Sequence, residues 1–72
     1  MENYQNLNGN SGVSAYEIGT NYISVLFNGS LKIYTYSYGK AGSDHVENMK
    51  QLARSGRGLN AYINQYVKFS YD

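Results

Sequence analysis

The chain has 72 residues, a net charge of +1, one histidine, and neither cysteine nor proline. One domain fits this length, and a domain so short buries only about 60% of its unfolded surface. Disulfides, thiolate metal sites, cysteine nucleophiles and a histidine-rich metal site are excluded, and the charge lacks the basic excess of a dedicated DNA binder.

Residues 1–12 are rich in Asn, Gln, Gly and Ser, with only Tyr4 and Leu7 able to pack. Such a stretch offsets little of its ordering entropy and reads as a flexible N-terminal tail, or as an arm given to a neighbouring subunit. Residues 13–72 read as a single domain.

Val13 to Ile18 reads as a first strand and Tyr22 to Phe27 as a second. Asn28-Gly29 is a strong hairpin signal, because a type I′ turn needs positive φ at both central residues. Ser30 to Tyr38 reads as a third strand. A two-residue turn sets Leu26 opposite Leu31 and Ile23 opposite Tyr34. One face then collects Ile23, Val25, Phe27, Tyr34, Tyr36 and Tyr38, and the other Tyr22, Leu26, Leu31 and Ile33, so both are expected to be apolar.

Asp44 and Glu47 fit a capping box opening a helix, with Val46, Met49, Leu52 and Ala53 on one face. Gly56 suits the left-handed position that ends it. A second short helix spans about Gly58 to Tyr66, with Leu59, Tyr62, Ile63 and Tyr66 at helical spacing. The alternation in residues 67–71 predicts a C-terminal edge strand, with Lys68 suited to the edge. The expected fold is α+β: a small antiparallel sheet, two short helices and an edge strand.

Two short helices cover one sheet face only. Tyr22, Leu26, Leu31 and Ile33 are therefore expected at an interface between copies, since small folds without staples rely on association; a closed dimer is the commonest form. No apolar run approaches a membrane span, no metal partner or cofactor is expected, and without a signal-peptide pattern the expected location is cytoplasmic.

Enzymatic chemistry has thin support: His45 reads as a solvated first-turn residue, and nothing places Glu17, Asp44 and Glu47 together. The turn Arg54-Ser55-Gly56-Arg57-Gly58 ends at a helix start. Free N–H groups, glycines and two guanidiniums there suit a phosphate cradle, or simply a tight connection with solvated arginines. Tyr34, Tyr36 and Tyr38, flanked by Lys32 and Lys40, read as core or as a stacking platform for bases.

The hairpin Val25-Leu26-Phe27-Asn28-Gly29, the Tyr-x-Tyr pattern over Tyr34 to Tyr38, and the run Ala53-Arg54-Ser55-Gly56-Arg57-Gly58-Leu59-Asn60 before Tyr62-Ile63 resemble the KTSC domain. That is a small bacterial module found alone and at the C-terminus of some lysyl-tRNA synthetases. The resemblance covers roughly Val13 to Tyr71. It implies an α+β fold and a suspected RNA-binding role, and no catalytic residue.

The expected function is a non-enzymatic binding module for RNA or a nucleotide. Arg54, Gly56, Arg57 and Gly58 would hold phosphate; Tyr36, Tyr38 and Asn60 would meet the base. The alternative is a small homo-oligomer, of a kind frequent in phages and mobile elements, that binds a host protein or sequesters a signalling nucleotide.

Overall fold

A computed structural model describes residues 1–7, 9 and 12–72. The part of the tail reading that concerns Asn8, Asn10 and Ser11 lies outside the described residues. The remainder is α+β: a four-stranded antiparallel sheet in the order β1-β2-β3-β4, followed by helices. The strands are β1 (Glu2–Asn3), β2 (Val13–Ile18), β3 (Tyr22–Phe27) and β4 (Ile33–Ser37). The helices are α1 (Tyr38–Ala41), α2 (Ser43–Ser55) and α3 (Leu59–Tyr62), the last running into a π-helical turn, Ile63–Val67.

The start of the expected tail joins the fold. Glu2 and Asn3 pair with Tyr16 and Ala15, and the Tyr4 N–H donates to the Ser14 carbonyl (3.0 Å). Tyr4 is buried in the core, and its hydroxyl accepts the Leu59 N–H (3.3 Å). One buried aromatic with a satisfied polar tip outweighs the poor packing of its polar neighbours.

The hairpin slides by two residues from the expected register. Leu26 pairs with Ile33 and Ile23 with Tyr36. Gly29 has φ +76°, but Asn28 stays outside the left-handed region, so the type I′ turn does not form. The Asn28 N–H is held instead by the Gly12 carbonyl (2.7 Å), and residues 28–32 make a longer loop. A slide of two preserves side-chain parity. Ile23, Val25 and Tyr36 therefore still face the helices, where they pack with Val46, Met49, Ala53, Leu59 and Ile63. Tyr38, expected to continue the strand, opens α1 instead.

The outer sheet face is mixed rather than wholly apolar. Cross-strand partners share a face, and this one alternates Leu26–Ile33 with the hydroxyl pair Ser24–Thr35 (2.8 Å), beside Glu17 and Ser37. Tyr22 donates to Glu17 (3.2 Å). Leu31 is fully exposed in the loop and Ile33 is 51% exposed.

Gly42 rather than Asp44 caps α2, without a side-chain bond. Glu47 is drawn instead to Tyr38 and to the buried Lys50 (2.8 Å), which also donates to the Thr20 carbonyl (3.1 Å). Gly56 ends α2 at φ +78°, as its position predicts. The C-terminal edge strand does not form among the described residues. The π-helical turn carries the chain past β4, leaving one ladder-like bond, from the Asp72 N–H to the Thr35 carbonyl (2.7 Å), and one from Ser37 Oγ to Asp72 (2.7 Å).

Candidate ligand-binding site

At the expected phosphate cradle, the N-terminal segment already uses the backbone. The Gly56 carbonyl accepts the Leu7 N–H (2.7 Å), and the Gly56 N–H turns back to Leu52 and Ala53 (3.1 and 3.3 Å). The Leu59 N–H, first in α3, is held by Tyr4. Gly56 is buried so closely under Gln5 that an added Cβ would meet the Gln5 Cβ at 2.7 Å. Gly58 supplies the left-handed cap of α3 (φ +84°), and Asn60 lies beside Gly12. Arg54 and Arg57 are exposed.

The tyrosines lie elsewhere. Tyr36 is 1% exposed, with Tyr71 edge-on to it (6.3 Å). Burial first, then the neighbouring Tyr34 and Tyr71, pushes its phenol up to about 12, so it stays neutral at ordinary pH. Tyr38 donates to Glu47 and lies under Lys50. The hydrogen bonds from Lys50 and then Tyr38 hold the Glu47 carboxyl below its usual range. Tyr36 and Tyr38 thus serve the core and a surface network, apart from the turn.

An aromatic cleft of about 340 Å³ opens where the sheet meets the C-terminal segment. Phe27, Tyr34 and Tyr36 contribute from the sheet and Ser30 from the loop; Ile63 and Asn64 come from the π-helical turn, and Lys68, Phe69 and Tyr71 follow it. Tyr34 is the centre of the ring array: Tyr71 stands edge-on at 4.8 Å and Phe27 at 5.6 Å. Lys32 Nζ sits 5.0 Å from the Tyr34 ring centre and 5.6 Å from that of Tyr71. Phe69 is 78% exposed. Rings offer stacking, Ser30 and Asn64 offer hydrogen bonds to a ligand edge, and the lysines offer charge to an anion. No carboxylate lines the cleft among the described residues.

Of the residues expected from the sequence to hold the ligand, only Tyr36 lines this cleft; Tyr34, read as core or stacking platform, joins it there. Lys68, Phe69 and Tyr71 were hidden by the strand-like alternation of residues 67–71, and Asn64 by its place on the polar side of the second expected helix. The signal available was Asn64 and Lys68 four apart at a helix end, followed by two aromatics.

Elsewhere on α2, His45 Nδ1 is 2.7 Å from the Tyr62 hydroxyl, Asn48 donates to that hydroxyl (3.2 Å), and the His45 ring stacks on Tyr66. This cluster ties α2 to the final helical segment. Among the described residues, no group of three or more His, Cys, Asp or Glu is placed to hold a metal, and no helix is long and apolar enough to cross a membrane. No family model, no curated protein and no solved structure matches this chain.

Proposed function

We propose that the protein is a non-enzymatic binding module for a planar, phosphate-bearing ligand, a nucleotide or an RNA base, taken in the aromatic cleft. One observation carries the reading: Tyr34 and Tyr71 meet edge-to-face beside Lys32, in a cleft that also holds Lys68 and, among the described residues, no acidic side chain. A flat ring stacks on such a corner, and an attached phosphate finds a cation nearby. The site differs from the expected Arg54–Asn60 cradle, where the Gly56 and Leu59 N–H groups are already bonded. The KTSC likeness is part of this proposal, in the RNA-binding role suspected for that family.

The test is calorimetric titration with adenosine 5′-monophosphate and a short RNA, using wild type, Tyr34→Ala and Lys68→Ala. Stacking contributes about 1–3 kcal/mol per base, so Tyr34→Ala should weaken binding about tenfold or more while circular dichroism stays unchanged. Wild type that binds neither probe would refute the reading.

A second reading, self-association in the cytoplasm through the outer sheet face, is favoured by the exposure of Leu31 and Ile33. Sedimentation that finds a monomer at millimolar concentration would end it.

A further inference from the structure

We infer that the cleft takes one nucleoside monophosphate, with Asn64 against the base edge and Lys68 at the phosphate. The inference rests on the binding role proposed above and goes beyond it in ligand size and in the residue that reads the base. Three observations carry it.

The first is volume. At about 340 Å³ the cleft sits at the lower end of the ~300–1,000 Å³ range of small-molecule sites. That accommodates one base with its sugar. Binding a strand takes a basic groove that follows several phosphates, and a net charge of +1 provides little for one.

The second is the π-helical turn. Such turns are rare and concentrate at functional sites. Here Ile63 and Val67 stay buried in the core while Asn64, next to Ile63, reaches the cleft wall, and Lys68, next to Val67, reaches the same cleft four residues on. The core contacts of Ile63 and Val67 hold the two polar side chains at the same cleft.

The third is chemistry. An amide presents one donor and one acceptor side by side, the complement of the adenine edge. An ammonium is a point charge suited to phosphate. Asn64 is exposed and free to turn its amide to the ligand.

The experiment titrates wild type, Asn64→Ala, Lys68→Ala and Tyr34→Ala with adenosine 5′-monophosphate, adenosine and an oligoadenylate decamer at two salt concentrations. Asn64→Ala should weaken the monophosphate and adenosine alike, by about tenfold. Lys68→Ala should bring the monophosphate down to the affinity of adenosine and leave adenosine unchanged. The decamer should bind no tighter than the monophosphate, with equally shallow salt dependence. Binding abolished by Tyr34→Ala but indifferent to Asn64→Ala, or a decamer that binds much tighter and falls steeply with salt, overturns this inference and leaves the binding role standing. No binding by wild type, or binding indifferent to Tyr34→Ala, overturns both.

Discussion

The turn at residues 54–58 and the cleft beside Tyr34 carry similar ingredients, basic side chains beside hydrogen-bonding groups, yet the fold treats them differently. At the turn, Leu7 and Tyr4 consume the Gly56 carbonyl and the Leu59 N–H, and Gln5 and Leu7 cover the glycine. At the cleft, Tyr34 and Tyr71 are only half-buried, Phe69 is left in water, and Lys68 lines the wall with its Nζ 5.5 Å from the Phe69 ring centre. A helix start offers an anion only the donors that folding has left unused. The segment of lowest apparent value in the sequence, the N-terminal residues, decides which region stays open.

The comparison breaks most severely at Tyr4. Tyr4→Ala removes a buried aromatic and the acceptor of the Leu59 N–H, and should cost about 3 kcal/mol or more in urea unfolding. A loss below about 0.5 kcal/mol would mean that the segment does not seal the turn. The cleft floor is tested with alkali. A phenol whose pKa folding raises contributes stability that is complete below the unfolded value, about pH 10, and is lost as pH rises to about 12, because the unfolded chain ionises first. Wild type should lose roughly 2–3 kcal/mol across that window, and Tyr36→Phe should lose less; equal losses would contradict the burial of this hydroxyl.

Gly56→Ala forces a Cβ into left-handed backbone and against Gln5, and should cost about 1–2 kcal/mol in chemical unfolding. A neutral substitution would show the N-terminal segment standing off the turn. The smallest effect belongs to the arginines. The Arg54→Ala, Arg57→Ala double variant should change nucleotide affinity by less than about twofold and stability by less than about 0.5 kcal/mol, as for exposed side chains. A tenfold loss of affinity would return the site to the turn.

Parity in the sequence read the sheet faces through a two-residue slip, because sliding β4 by two leaves Ile23, Val25 and Tyr36 on one side. Gly56 announced the end of α2, since few other residues tolerate its φ. Two features were hidden because their causes are tertiary. Residues 2–4 become a strand and a core anchor only once Tyr16 and Leu59 are in place. Residues 67–71 alternate like a strand, but the π-helical turn fixes their direction and presents Lys68, Phe69 and Tyr71 to the cleft. The candidate site was legible as a composition of tyrosines and basic residues, and its location was not, since spacing cannot report which donors the rest of the chain has occupied.

The most direct measurement is amide chemical-shift mapping during titration with adenosine 5′-monophosphate. Saturable shifts concentrated at Phe27, Tyr34, Asn64, Lys68 and Tyr71, with Arg54 to Asn60 unmoved, are the predicted result. Shifts centred on Gly56, Arg57 and Gly58, with Tyr34 and Asn64 still, would contradict it.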